Sequence, residues 1–317
     1  MKLDWLNPQL TPSSLSEAGR EAFDVGAFFP FTLNAYSMVH YAPVIERILA
    51  GLSVRRIVEV GVFQGDLSVY ILDLARKANA AADFVDIAFK PEVRARIAQA
   101  AGDTPVCFHE CASVDALGAI DPMDFVFLDG DHNYETVEQE LALIAAAAGK
   151  RIVLMHDVGW PWGRRDGAYA PARLADPDAY KAGELTPFSD RIVEEFGLPF
   201  QPVKLREGGP RNGVLTAAED FRAARGARWR YWSIPLFFGL GVLWDGEAVT
   251  VEEDMHLLEI GRAMQAAAPL MASAELNRLM MLIKLQSAGV IWKRQRERII
   301  ELESRLAASQ AKVNNVV

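Results

Sequence analysis

Short hydrophobic runs alternate with longer amphipathic stretches through the first half of the chain. The runs are rich in β-branched residues and predict strands, whereas the stretches have the spacing of helices that bury one face. The predicted strands are 56–60, 84–87, 106–109, 124–128 and 151–155, and the predicted helices are 67–78, 91–101 and 135–148. This alternation indicates a doubly wound, mostly parallel, Rossmann-like α/β sheet. Ligands of such sheets bind beyond the carboxyl ends of the strands.

Other patterns flank this region. A helix at 216–224 and a strand pair within 229–244 predict an antiparallel edge to the sheet. The residues before Gly51 predict N-terminal helices, and those after the strand pair predict a C-terminal helical tail. The expected organisation is an N-terminal helical extension at 1–50, a central domain at 51–248 with an aperiodic loop at 159–213, and a tail at 249–317.

The tail has a heptad pattern with one phase shift. Two sets of apolar residues recur every seven positions: Leu276, Ile283 and Val290, and then Trp292, Ile299 and Leu306. Such spacing is typical of a helix packed on its own domain or of a coiled coil between two copies of the chain. Both alternatives stay open, and a homo-oligomer is one expectation.

Charge and composition limit the classes of partner and the location that we expect for this protein. The 33 Lys and Arg residues against 42 Asp and Glu give a net charge of −9, which disfavours nucleic acid as a partner. The N-terminus has no secretory signal pattern and no apolar run is long enough to span a bilayer, so we expect a cytoplasmic enzyme without membrane contact. The C-x-H-x-C run at Cys107, His109 and Cys111 offers too few ligands for a zinc site.

The turn after the first predicted strand carries the motif E-x-G-x-x-x-G, with Glu59, Gly61 and Gly65 at its fixed positions. Phe63 stands where a dinucleotide fingerprint needs its second glycine, which argues against NAD or FAD. The motif instead resembles the first motif of class I S-adenosylmethionine (SAM) dependent methyltransferases, in which the acid faces the methionine end of SAM. Asp86, at the end of the second strand, is then expected at the ribose hydroxyls.

Two strand ends carry a concentration of acids and histidines. The fourth strand leads into Asp129, Asp131 and His132, and the fifth leads into His156 and Asp157. Because neighbouring parallel strands end at the same edge, all five side chains are expected to lie together and to bind a divalent cation. The alternative is that the acids only cap helices and hold loops.

The segment LDGDHNYE at 128–135, followed by MHD at 155–157, resembles the small metal-dependent sugar O-methyltransferases and their cephalosporin-hydroxylase-like relatives, and more remotely the catechol O-methyltransferases. The resemblance covers about residues 52–160. It implies SAM as cofactor, a divalent metal such as Mg²⁺ on Asp129 and Asp157, and His156 at a position often held by Asp or Asn. It places His132 where the catechol enzymes have a lysine base and Ser113 near the adenine.

The loop that follows the MHD sequence has aromatic and basic residues. Aromatic rings stack on sugars and arginines bind anions, so the expected substrate residues are Trp160, Trp162, Arg164, Arg165 and Arg211. The alternative is a loop that these residues hold in place by packing and ion pairs.

These observations predict methyl transfer from SAM to a hydroxyl of a small acceptor, such as a sugar or an anionic metabolite. A metal on Asp129, Asp157 and His156 would activate the hydroxyl, and His132 would accept its proton. A metal-dependent hydrolase and a non-catalytic SAM-fold module with a partner-binding tail are the alternatives.

Overall fold

A computed structural model of the chain describes residues 37–169, 174 and 176–314. Most of the predicted N-terminal extension, residues 1–36, lies outside the described residues. The part within them begins with a short 3₁₀ helix, Met38–Tyr41, which runs directly into the first α-helix.

The described elements are nine strands and seven α-helices. The strands are β1 (Arg56–Val60), β2 (Ala81–Asp86), β3 (Val106–Glu110), β4 (Phe125–Leu128), β5 (Ile152–His156), β6 (Tyr180–Leu185), β7 (Leu198–Lys204), β8 (Trp229–Ile234) and β9 (Leu240–Asp245). The helices are α1 (Ala42–Leu49), α2 (Asp66–Ala78), α3 (Pro91–Ala101), α4 (Ser113–Leu117), α5 (Tyr134–Ala146), α6 (Val214–Arg225) and α7 (Val251–Asn314).

Seven strands form one sheet in the order β3-β2-β1-β4-β5-β9-β8. The first five strands are parallel, and β9 pairs antiparallel with both β5 and β8. This confirms the predicted doubly wound sheet with an antiparallel edge. The strand order reverses between β1 and β4, so the crevice beyond their carboxyl ends is the expected ligand site.

The sheet separates two hydrophobic layers. Ile57, Phe127 and Leu154 face one layer, where α1, α2, α3 and the first turns of α7 cover the sheet. Val58 and Val126 face the other, which α4, α5 and α6 cover. Strands buried on both faces have continuous hydrophobic runs, as β4 and β5 do, which explains why the sequence pattern located them well.

The aperiodic loop contains a small sheet that the sequence pattern did not predict. Strands β6 and β7 pair antiparallel with a register irregularity near Lys181 and Gly183. Their sequences, YKAGEL and LPFQPVK, contain glycine and two prolines and lack strict alternation. Tertiary contacts therefore decide this pairing more than local propensity does.

The tail is one helix of 64 residues that continues through Pro269. Its first half packs on the main sheet through Leu257 and Ile260, and Leu279 and Ile283 pack against Leu198 and Phe238. Farther along, the second apolar set is exposed: Trp292 by 49%, Ile299 by 55% and Leu306 by 60%. Within the described part of the chain, no helix has both the length and the hydropathy that crossing a bilayer requires.

Candidate active site

The glycine turn after β1 forms one wall of a cavity of about 500 Å³. Gly61 has φ +90°, and a Cβ there would lie 2.1 Å from the Asp129 carbonyl oxygen. Gly65 has φ +72° and precedes the first turn of α2. Only glycine allows the ends of β1 and β4 to approach this closely, which is the physical requirement behind the E-x-G-x-x-x-G spacing.

Glu59 lines this cavity and is fully buried. Neither carboxyl oxygen makes a hydrogen bond of normal geometry with a described residue. Burial raises the pKa of Glu59 well above its ordinary value, and the charges of Asp129 and Asp86 raise it further. The Ser68 hydroxyl opposes this rise. A buried carboxyl beside a cavity is suited to a cationic ligand group such as the ammonium of a bound amino acid.

Asp86 lies at the end of β2, where its carboxylate organises the glycine turn. Its Oδ2 accepts hydrogen bonds from the backbone N–H groups of Val62 at 3.0 Å and Phe63 at 3.1 Å. Its Oδ1 accepts from Ala88 N–H at 3.1 Å. Oδ2 therefore uses both of its lone pairs in the turn, and Oδ1 retains one for a ligand hydroxyl.

Four of the five predicted side chains from the ends of β4 and β5 do converge, and three of them, Asp129, His132 and Asp157, line the cavity. His156 Nδ1 lies 3.0 Å from Asp129 Oδ1 and 3.3 Å from Asp157 Oδ2. His132 Nε2 lies 2.9 Å from the same Asp157 oxygen and 3.7 Å from Asp129 Oδ1. Ligand atoms of Asp129, His156 and Asp157 all fall within 4.8 Å of one another, as a single cation would require.

Asp131 departs from the expected cluster. Its carboxylate accepts hydrogen bonds from the His132 backbone N–H at 3.2 Å and from the Thr136 hydroxyl at 3.3 Å. It therefore supports the first turn of α5, where Asn133 provides the N-cap. For Asp131 the helix-capping alternative is the correct one.

The tautomer of His156 tests whether the cluster fits a metal. Its Nε2 lies 3.0 Å from the Phe237 carbonyl oxygen, which accepts only, so Nε2 carries a proton. The other nitrogen, Nδ1, then faces two carboxylates that also accept only. This arrangement needs either a second proton on the ring or a cation between Nδ1 and the carboxylates. A ligating histidine that donates its other N–H to a backbone carbonyl is the usual design of metal sites, so these residues fit a divalent metal.

The charges of the cluster shift its pKa values strongly. Burial is the largest single effect on His132 and would lower its pKa, but the charges of Asp157 and Tyr169 and hydrogen bonds to Asp129 and Asp157 together raise this pKa well above its ordinary value. Burial would likewise lower the pKa of His156, and Asp157 and Asp129 raise it. Burial would raise the pKa of Asp157, and the two histidines lower it well below its usual range. Without a cation, the carboxylates therefore favour the protonated form of both imidazoles.

Aromatic rings surround His132. Trp162 is buried and stacks on the imidazole with ring centroids 5.4 Å apart, and Tyr169 lies at 5.7 Å. Phe200, from β7, packs edge-on against Trp162 and also lines the cavity. No local motif marks Tyr169 or Phe200 in the sequence, because the fold of the loop brings them to the cavity.

The predicted substrate arginines lie elsewhere. Arg164 forms an ion pair with Glu219 at 2.6 Å, and Arg211 forms one with Glu138 at 2.9 Å. Arg165 is buried and donates to the carbonyl oxygens of two loop residues, Lys204 and Asp190. The structure brings none of the three to the cavity, since a loop with few regular hydrogen bonds uses them to satisfy its own acceptors. Trp160 packs against Phe200, so of the predicted substrate residues only Trp162 lines the cavity.

Ser113 also lies outside the described lining of the cavity. It begins α4, and its hydroxyl is hydrogen-bonded to the buried Glu140. Two residues of the C-x-H-x-C run, Cys107 and His109, lie near Asp83. The Asp83 carboxylate contacts His109 at 2.8 Å and Arg56 at 3.7 Å. These contacts account for the cluster without a metal.

Residues 58–158 match the model of a protein family described as a methyltransferase domain. By this match, the segment is a methyltransferase domain. It contains the glycine turn and all four clustered residues, so the predicted methyltransferase domain is confirmed, and the hydrolase alternative loses its support. No curated protein is similar enough in sequence to match.

Solved methyltransferase structures are similar to the chain at a low level. They include SAH-bound PaMTH1 of Podospora anserina, with 16% identity, a TM-score of 0.39, and coverage of 71% of this chain and 84% of that one. The O-methyltransferase TomG of Streptomyces achromogenes, in complex with SAM, has 16% identity, a TM-score of 0.41 and coverage of 74% and 93%. An O-methyltransferase of Bacillus cereus, in complex with SAH, has 14% identity, a TM-score of 0.37 and coverage of 71% and 86%. With scores this low, the methyltransferase domain is assigned from its family match, motifs and strand order.

Proposed function

We propose that the methyltransferase domain transfers the methyl group of SAM to a hydroxyl of a small acceptor, with a divalent cation held by Asp129, His156 and Asp157. The observation that carries this proposal is the position of His156 Nδ1 against both carboxylates, at one end of a cavity whose other wall is the glycine turn. A cation there would fix a hydroxyl and lower its pKa.

The cofactor end of the cavity has groups that suit SAM. Glu59 provides a buried carboxyl for the methionine ammonium, and Gly61 and Gly65 let the backbone approach the ligand closely. Asp86 holds the turn, and its Oδ1 has one lone pair left for a ribose hydroxyl.

The reaction that we propose is a direct displacement. The acceptor oxygen bonds to the methyl carbon as the S–CH₃ bond breaks, and the hydroxyl proton passes to a base. His132 is the base that lies beside the cluster, with its Nε2 2.9 Å from Asp157 Oδ2. Trp162 and Tyr169 pack on its ring and restrict its orientation, so alignment contributes much of the rate.

The acceptor we favour is a sugar or a similar ring with neighbouring hydroxyls. Trp162, Tyr169 and Phe200 offer aromatic faces at the cavity. Its described lining includes carboxylates and no Lys or Arg, which favours a neutral acceptor over the anionic one that the sequence allowed. The predicted cytoplasmic location stays a prediction.

We also propose that the exposed end of α7 pairs with a second copy of the chain as a parallel coiled coil. With Trp292, Ile299 and Leu306 at the a positions, Arg298 takes a g position and Glu303 the following e position. In a parallel pair, Arg298 lies opposite the partner's Glu303, whereas an antiparallel pair would bring arginines together. The charges therefore support the parallel arrangement.

The test is calorimetric titration of SAM and, separately, of Mg²⁺ and Mn²⁺ into the purified protein. We expect micromolar SAM affinity and metal binding that Asp157→Asn abolishes, since asparagine tolerates the φ of +60° at this position but lacks the charge. Equal metal binding by this variant would overturn the metal assignment. The absence of SAM binding at millimolar concentration would overturn the methyltransferase activity.

A further inference from the structure

The turn between β8 and β9 connects the tail helix to the proposed metal site. This turn supplies the Phe237 carbonyl that accepts the proton of His156 Nε2 at 3.0 Å. Phe237 and Phe238 have φ angles of +48° and +67°, a left-handed conformation that is rare for aromatic residues. Two such residues in succession persist only where neighbouring groups hold the backbone.

Glu275, on α7, holds the N–H groups of this backbone, while the Tyr41 hydroxyl donates to the Phe237 carbonyl oxygen at 3.3 Å. Its Oε2 accepts the Phe237 N–H and its Oε1 accepts the Phe238 N–H, each at 2.9 Å. The side chain is buried, with 5% of the residue exposed. One carboxylate thus binds two successive N–H groups, as an anion does in a backbone nest.

Arg278 balances the charge of Glu275. Its Nε and Nη2 donate to the two carboxylate oxygens, each at 2.7 Å, in a bidentate pair. The same guanidinium lies over the Phe238 ring, 4.4 Å from its centroid. The arrangement holds the carboxylate and both aromatic residues in one orientation.

The turn also contacts the segment that carries the other metal ligand. Gly159 N–H donates to the Phe238 carbonyl oxygen at 2.6 Å, two residues after Asp157. A Cβ on Gly159 would lie 2.6 Å from that oxygen, so the two backbones are in direct contact. The position of the turn therefore bears on both His156 and Asp157.

We propose that Glu275 is a positioning residue for the metal site: by fixing the Phe237 carbonyl, it keeps the proton of His156 on Nε2 and presents Nδ1 to the cation. The inference rests on the proposed metal-assisted function. It gives the tail helix, which lies outside the matched methyltransferase domain, a part in building the site.

The test compares Glu275→Gln with Glu253→Gln. Glutamine keeps the size of Glu275 but has only one acceptor oxygen for the two N–H groups. Glu253 is a matched control, because it is a buried carboxylate on the same helix with 6% exposure that binds Lys150 and the Ser53 backbone. The measurements are Mn²⁺ affinity by calorimetry, SAM affinity, and ¹⁵N NMR of the His156 ring with Mg²⁺ present.

For Glu275→Gln we expect Mn²⁺ affinity to fall about tenfold or more, as for other outer-shell partners of metal ligands. The His156 ring should lose its defined Nε2–H tautomer, and SAM affinity should stay within about twofold. For Glu253→Gln we expect wild-type values of all three. Unchanged Mn²⁺ affinity in Glu275→Gln, or the same loss in both variants, would overturn the positioning role.

Two further results separate this inference from the proposed function. If the wild-type protein binds no Mn²⁺, the metal-assisted function fails and the inference fails with it. If the wild-type protein binds Mn²⁺ but its His156 carries the proton on Nδ1, the inference alone fails. The second measurement uses only the wild-type protein, so it holds even if Glu275→Gln does not fold.

Discussion

His132 Nε2 and Asp157 Oδ2 lie 2.9 Å apart, so one carboxylate serves both the proposed base and the proposed metal site. Asp157 also contacts His156, at 3.3 Å. The charge of Asp157 raises the pKa of His132 well above its ordinary value, although burial opposes this. A base must be neutral to accept a proton, so the state of Asp157 decides whether His132 can act.

A cation on Asp129, His156 and Asp157 should lower the pKa of His132. The positive charge offsets Asp157 and repels the imidazolium, which inverts the effect of the carboxylates. NMR titration of the His132 ring with and without Mg²⁺ measures this shift, and His256 on α7 is the internal control. An identical His132 titration in both conditions would contradict the prediction.

Replacing His132 by glutamine should lower kcat by about 10²–10⁴-fold, the usual contribution of a general base. SAM affinity should stay within about twofold, because the cofactor contacts come from the glycine turn. His256→Gln, far from the cavity, should keep wild-type kinetics. Steady-state kinetics and calorimetry check both values, and an equal loss of kcat and SAM affinity would show that His132 supports the fold of the cavity instead.

The sequence was sufficient to predict the site residues that directly follow a buried strand. Asp129, His132, His156 and Asp157 follow buried strands that the hydrophobic pattern locates, so their convergence follows from strand order alone. The requirement for Gly61 follows in the same way from the approach of β4 to β1.

The other features of the site depend on contacts between residues that are distant in sequence. Arg165 looked like an anion-binding residue, yet it is buried among the carbonyl groups of its own loop. Phe237 and Glu275 belong to no sequence motif. Phe237 contributes only a backbone carbonyl, and the Glu275 carboxylate that holds the turn lies 38 residues farther along the chain. Local patterns do not encode such pairs.

Glu140 should make the protein less stable as the pH rises. Burial raises its pKa from 4.5 to about 8, so the unfolded chain releases this proton above about pH 4.5 while the folded protein keeps it. The contribution of Glu140 to the free energy of unfolding is therefore largest below pH 4.5 and decreases until about pH 8. Glu140→Gln removes the titration and should gain up to about 4 kcal/mol over the wild type between pH 5 and pH 8.

Urea denaturation at several pH values measures this difference. Glu253→Gln is the control with the opposite sign, since Lys150 and backbone N–H groups lower the pKa of Glu253 despite its burial. That variant should lose stability relative to the wild type at neutral pH and lose less at pH 4. Parallel pH profiles for the wild type and Glu140→Gln would contradict the assignment.

The exposed end of α7 should make the protein dimeric. Ile299 is 55% exposed and lies at the centre of the second apolar set, between Trp292 and Leu306. Ile299→Glu places a like charge at the a position of both helices, and this should convert the dimer to a monomer at micromolar concentration. Val251→Glu, at the exposed start of the same helix, is the control and should leave the dimer intact.

Light scattering after size exclusion gives the mass of each variant, and SAM affinity should be the same in both, because the cavity lies on the main sheet. If the wild-type protein is monomeric at high micromolar concentration, the proposed coiled coil is contradicted.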